Sequence, residues 1–340
     1  MVMEETLSEN PLDVVGEARL YRSLRRFWHP VMYAADLQSK PEKVVLLGEE
    51  IVLVRLGGEV RAFRDLCVHR GTPLSLGRVE DDQLRCAYHG WTYGPDGVCT
   101  AIPARHGSNI PSRARLQPYR VTEDHGLIWV ALDEPVFPVP TLPEFGDARF
   151  KIVTVPRYDW HCGAARRMEN FIDFAHIAWV HDGSIGDRSR PEVPEHEVRR
   201  EGGELRWEAT LIEPPNEKLD PALTDGPVYS DNEWRLFMPL TVWFHQVMPG
   251  DVHWTVYIAV SPIGPKHCRT FTFMARNYDF DEDDEKYIRF QLEIAEQDRV
   301  VTESQKPEEL PVDLSAELHI RGVDKVSLEY RKWLVELMNA

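Results

Sequence analysis

Two Cys-His units constrain this chain more than anything else in it: Cys67-x-His69 and Cys86-x-x-His89, with sixteen residues between His69 and Cys86. Two thiolates and two imidazoles on paired tight turns suit a metal site. Zinc ribbons and fingers usually pair Cys with Cys and His with His, and a single structural zinc is the plain alternative here. Each turn of this chain instead pairs one Cys with one His. That alternation fits two non-equivalent metals.

Short β-runs separated by turns surround these units. VVLLG, EEIVLVRL and EVRAFRD come first, and Gly57-Gly58 between the last two is a hairpin signal. LRCAYHGWTY, GVCTA and GLIWVAL follow, and residues 1–40 carry a short helical pattern ending in RRFWHPVMYAADL. The Pro-rich stretch Asp133–Pro143 breaks regular structure. It divides the chain into residues 1–135, an all-β domain with a core of about 28–132, and residues 136–340. The second part reads as α+β. A strand, KIVTVPRYDW, precedes a helical stretch from about Gly163 to His181. The strands HEVRRE, GELRWEATLI, EWRLFMPLTVWFHQVM, DVHWTVYIAVSPI and CRTFTFMARNY come next. A long helix is expected from about Asp281 to Gln305, stopped by Pro307, and a last helix over 325–339.

A net charge of −17 over 340 residues argues against nucleic acid or an anionic membrane surface as partner. The apolar runs are of strand length, and the N-terminal MVMEETLSEN is acidic and polar, unlike a targeting segment. Five cysteines are an odd count that fits a reducing compartment, so a cytoplasmic protein is expected. Cys99, Cys162 and Cys268 match no motif and read as structural thiols.

Cys67-Val68-His69-Arg70-Gly71 and Cys86-Ala87-Tyr88-His89-Gly90-Trp91, with their spacing, resemble the Rieske domain of Rieske non-haem iron oxygenases. In a Rieske [2Fe–2S] cluster one iron takes both Cys and the other both His. The resemblance thus implies that Cys67, His69, Cys86 and His89 hold such a cluster.

Downstream, the segment RRMENFIDFAHIAWVH places Glu169, Asn170, Asp173 and His176 on one helical side, with Phe171, Phe174 and Ala178 on the other. Taken alone, this stripe also suits a solvent-facing helix. The order Glu169-x3-Asp173-x2-His176-x4-His181 looks like the mononuclear iron motif of the same family. Two His and a carboxylate make the facial triad of non-haem Fe(II) enzymes. For the carboxylate, the long helix offers Asp298, whose direction is shared by Ile294, Ala295, Val301 and Thr302. Glu293, Glu296, Arg299 and Glu303 point the other way, so Asp298 is preferred over Glu296 and Glu303.

The resemblance implies an antiparallel-sheet, helix-grip (START-like) catalytic domain behind the Rieske domain. It also implies a homotrimer with head-to-tail contacts, in which His89 of one subunit meets Asp173 of the next, an inter-subunit electron-transfer bridge to His176. No GxGxxG fingerprint is present, so NAD(P)H is expected to act only through a separate flavin/iron–sulfur reductase or ferredoxin. O2 activation at Fe(II) then leads to hydroxylation or oxidative demethylation of a small, aromatic or cyclic substrate. A cis-dihydroxylating dioxygenase, and an electron carrier without oxygenase chemistry, are the alternatives. The short length resembles vanillate and dicamba O-demethylases, which favours monooxygenation. Pocket candidates are Phe237, Phe244, His245, Met248 and His253, among Met238, Trp243 and Trp254 on the same strands; alternation leaves at most half of them facing a cavity.

Overall fold

The computed structural model describes residues 11–105, 109–216 and 226–339. The chain divides into two compact units. One comprises residues 25–142 with 261–264, and the other residues 11–24, 143–260 and 265–339. The boundary thus falls after Leu142, at the end of the Pro-rich stretch, rather than after residue 135. The N-terminal helix counts with the second unit.

Three small sheets build the first unit. β1 (His29–Tyr33), β10 (Leu127–Ala131) and β9 (Arg120–Asp124) form one. β2 (Glu42–Leu46), β3 (Glu49–Leu56) and β4 (Glu59–Arg64) form a meander, with Gly57 and Gly58 at φ 64° and 77° in the tight turn. β5 (Arg78–Glu80), β6 (Gln83–Arg85), β7 (Thr92–Tyr93) and β8 (Cys99–Ala101) make the third; the Cys86–His89 turn joins β6 to β7, and the Cys67–His69 turn lies in the connection from β4 to β5. Val52, Val54, Phe63, Leu74, Leu84 and Tyr93 pack as a core around Cys67 and Cys86.

β1 corrects the helical reading of RRFWHPVMYAADL. α1 (Pro11–Ser23) and a 3-10 turn, Leu24–Arg26, end before Pro30, which cannot continue a helix. The next residues enter the sheet with all five strand positions buried.

The second unit is a seven-stranded antiparallel sheet ordered β11-β17-β16-β15-β14-β13-β12. Its strands are β11 (Lys151–Trp160), β12 (Arg199–Glu201), β13 (Glu204–Glu213), β14 (Val228–Phe237), β15 (Thr241–Met248), β16 (Val252–Gly264) and β17 (His267–Arg276). EWRLFMPLTVWFHQVM is therefore two strands rather than one. The chain reverses at Met238–Leu240, where Pro239 lacks the N–H that an uninterrupted central strand requires.

The helices are α2 (Ala164–Ile172), α3 (Ile177–Val180), α4 (Asp284–Thr302) and α5 (Lys325–Asn339). Asp283 caps α4 by accepting from the Glu285 amide at 3.0 Å. Phe290, Ile294, Ala295, Asp298 and Thr302 are buried at helical spacing, whereas Val301 is 46% exposed, outside the inward stripe expected for it. Burying a side chain such as Phe290 or Ile294 contributes about 1.5–3 kcal/mol. α4 lies against β11 and α2, and α2 against α5.

The helical stretch expected from Gly163 to His181 is broken. Asp173 is extended (φ −84°, ψ 133°), and its carboxylate accepts from the backbone amides of Ala175 (3.2 Å) and His176 (2.9 Å). A short acidic side chain that satisfies the local backbone in this way competes with the helix and ends it.

Candidate functional site

The break after α2 presents His176 and His181 to α4. His176 Nε2 lies 3.4 Å and His181 Nε2 3.1 Å from Oδ1 of Asp298. The three donor atoms fall within 4.8 Å of one another, a metal-ligand spacing. Both Nδ1 atoms have partners: that of His176 is 3.1 Å from Asp173, and that of His181 is 2.8 Å from Oε1 of Gln297. An Nδ1–H donating to an oxygen leaves the Nε2 lone pair for a metal. Asn170 donates to Asp298 Oδ1 at 3.2 Å. Asn170 was legible as part of the polar side of its helix, whereas Gln297 was missed; its place beside Asp298 in sequence was the only signal.

The electrostatics follow from this packing. Burial pulls the His176 pKa down, but contacts with Asp173 and Asp298 outweigh it and raise the pKa to about 9. Burial opposes ionisation of Asp298, yet the two imidazoles hold its carboxyl far below the ordinary carboxylate range. Asp173 is likewise lowered, against its burial, by His176. Glu169 does not join them. It pairs with the buried Arg331, Nη2 to Oε2 2.6 Å, and the polar stripe of α2 is therefore turned inward.

A cavity of about 100 Å³ opens beside the triad, between α4 and the sheet. Trp234, Phe244, Trp254 and Phe290 are among its walls. Of the five pocket candidates, Phe244 lines it. His245 belongs to the opposite face of β15, where it meets Thr255 (2.8 Å) and His253 (3.0 Å), and His253 reaches Asp251 at 2.8 Å. Phe237 and Met248, at the two ends of their hairpin, are not among the lining residues, nor are Met238 and Trp243.

In the first unit the Cys-His turns repeat one geometry. The Gly71 amide donates to Cys67 O at 2.9 Å, and the Gly90 amide to Cys86 O at 3.1 Å. Gly71 and Gly90 sit at φ 72° and 69°, where a side chain would be strained. The four donors form two pairs. Cys67 and Cys86 are buried against each other, and the His69 and His89 rings stand 4.5 Å apart with His69 stacked on Trp91. Burial raises the Cys86 thiol, while the amides of Tyr88 and His89 donate towards its sulfur and favour a thiolate. Tyr93 Oη is 3.1 Å from Cys67 Sγ. His69 Nδ1 is buried without a hydrogen-bond partner. Cys99, Cys162 and Cys268 are buried free thiols.

The Rieske [2Fe-2S] domain model matches residues 27–120, and the vanillate O-demethylase oxygenase C-terminal domain model matches residues 160–340. Methylxanthine N1-demethylase NdmA of Pseudomonas putida is 35% identical over 337 residues, covering 96% of this chain and 92% of that protein. The chain belongs to the Rieske oxygenases. Methylxanthine N3-demethylase NdmB of the same species is 33% identical, with 92% and 89% covered. The solved structure of an NdmA QL mutant with caffeine has a TM-score of 0.84 at 32% identity, over 95% of this chain and 93% of that one.

As a Rieske oxygenase the protein uses a [2Fe–2S] cluster, a mononuclear Fe(II) and O2, with electrons from a reductase. The donor chemistry fits both groups. Two thiols and two imidazoles in separate pairs match a cluster of two unlike irons better than one tetrahedral zinc, and the orphaned His69 Nδ1 is free to be a ligand atom. Two imidazoles and one carboxylate match the facial triad. No helix among the described residues is long and apolar enough to cross a membrane.

Proposed function

We propose that this Rieske oxygenase removes a methyl group oxidatively from a nitrogen or oxygen of a small ring compound. The convergence of His176, His181 and Asp298 beside an aromatic-walled cavity carries this reading. The balance is R–X–CH3 + O2 + 2e− + 2H+ → R–XH + HCHO + H2O. When bound, the cluster supplies one-electron transfer and the Fe(II) supplies O2 activation.

The chain's own residues do the rest. Cys67, Cys86, His69 and His89 would hold the cluster, and His176, His181 and Asp298 the iron. Asp173 and Gln297 fix the two imidazole planes through Nδ1. Trp234, Phe244 and Phe290 keep a flat ring beside the triad and exclude water. Asp173 is 24% exposed on its side chain, which leaves it accessible to His89 of a neighbouring subunit. The proposal therefore includes a head-to-tail homotrimer in the cytoplasm, a location in keeping with five free thiols, and a separate flavin/iron–sulfur reductase.

The experiment is turnover of methylated and methoxylated ring compounds by iron-loaded protein with a reductase and NAD(P)H. Formaldehyde equal to the O2 consumed is expected. A cis-diol product, or O2 uptake that survives Asp298→Ala, would overturn the reading.

A further inference from the structure

Beyond the metal triad, the polar residues lining the cavity are Glu213 at the end of β13 and Gln291 of α4, and no Lys or Arg is among the described lining residues. Glu213 is 4% exposed and receives the side-chain amides of Gln246 (2.5 Å) and Asn216 (3.1 Å). Gln246 also donates to Ser230 Oγ at 2.8 Å. Across the strand pair, directly opposite Gln246, Asn232 donates to Ser230 O (2.9 Å) and Ala209 O (3.2 Å).

These contacts fix both amides. The Gln246 NH2 must face the Glu213 carboxylate, and the Asn232 NH2 must face two carbonyl oxygens, so neither group can be turned round without setting acceptor against acceptor. Their oxygens, Gln246 Oε1 and Asn232 Oδ1, are buried and have no hydrogen-bond partner. Both residues stand on the face of the sheet that carries the cavity walls Trp234 and Phe244, because they share the strand parity of those residues. Neither Gln246 nor Asn232 is among the lining residues, so the acceptor this end of the cavity presents is the Glu213 carboxylate, with the two amides packed behind it. A ligand that brings an N–H or O–H group can meet that carboxylate without stranding a donor of its own.

We infer that Glu213 is a substrate-selecting acceptor, with Gln246 a positioning residue that holds its carboxylate. The substrate class is a small uncharged or cationic ring with an N–H or O–H donor remote from its methyl group. Carboxylated rings are rejected, because their charge would face Glu213 in a site of low dielectric. The inference rests on the demethylation reading for the identity of the site, but its test does not depend on turnover.

The test is calorimetric titration of the holoenzyme with 4-methoxybenzamide and 4-methoxybenzoate, two ligands of nearly equal shape that differ in charge and donors. The amide is expected to bind at least tenfold tighter. Glu213→Gln, which keeps the shape of the side chain, should reduce that preference below threefold, and Gln246→Leu should weaken the amide alone. Equal or tighter binding of the benzoate overturns the inference, as does a preference unchanged in both variants, or no binding of the amide up to 10 mM. Formaldehyde is scored separately: its absence with the binding preference intact would count against demethylation and leave the role of Glu213 standing.

Discussion

His176 enters the apo protein as a cation: its two carboxylate neighbours raise its pKa to about 9. A metal ligand must be neutral, so loading the triad near pH 7.5 should expel that proton. Calorimetric titration with Co(II) in two buffers of different ionisation enthalpy should show close to one proton released from this residue, and apparent affinity rising with pH up to about 9. Heat independent of the buffer would contradict the assignment. His181 depends on Gln297 instead, whose carbonyl takes Nδ1 at 2.8 Å. Gln297→Leu removes that acceptor and frees the ring. Metal affinity at the triad is expected to fall about tenfold to hundredfold, the usual loss when such an outer partner is removed, while the visible spectrum of the cluster stays unchanged.

At the scale of elements, the break between α2 and α3 is what makes a site from a helix. A continuous helix would hold His176 and His181 at a fixed angular offset; Asp173 ends α2 and lets the following turn carry both towards α4. Asp173→Asn keeps a side-chain oxygen for the two backbone amides and removes the charge between the imidazoles. Both metal centres should remain loaded while reductase-driven turnover drops at least tenfold; near-normal turnover would remove Asp173 from the electron path. The far face of the sheet has its own buried anchor. Glu144 accepts from Trp243 Nε1 (3.0 Å) and Thr255 Oγ1 (2.7 Å) at 3% exposure. Glu144→Ala would strand both donors, at a cost of about 2 kcal/mol. That lowers Tm by roughly 4–8 °C on scanning calorimetry for a unit of this size.

The elements differ in how far the sequence disclosed them, and the reason is physical. EEIVLVRL and KIVTVPRYDW coincide with β3 and β11 because their patterns and flanking turns are local. α4 likewise carries its own cap and periodicity, and α5 its own periodicity. The end of α2 depended on one carboxylate finding two amides, and the β14–β15 reversal on one proline, details that a window of periodicity averages away. The pocket was least legible. Alternation shows that Phe244 and His245 face opposite ways but not which face is concave, and Gln297 acquires its role from a histidine 116 residues earlier.

Charge is divided unevenly over the whole molecule. Residues 25–142 contain 14 Lys and Arg against 14 Asp and Glu, so the entire −17 belongs to the rest of the chain. Around the exposed cluster turns stand Leu66, Val68, Leu76 and Tyr88 at 40%, 43%, 67% and 63% exposure, with Arg70 and Arg105 also exposed. Large apolar groups bordered by cations beside an electron inlet suit a surface covered in an assembly, against a unit that is acidic. A head-to-tail trimer supplies such a cover, since each copy brings one neutral unit and one acidic unit. Light scattering should therefore give about 118 kDa, three times the chain mass of 39.3 kDa. Replacing Leu76 and Tyr88 by Glu sets new acidic groups against the neighbour's acidic unit. The double variant should sediment as a single chain with iron and cluster still loaded, and lose reductase-driven turnover, as the proposed contact between His89 and the neighbouring Asp173 requires. A double variant that remains trimeric and active would show that the apolar collar lies outside the subunit contact.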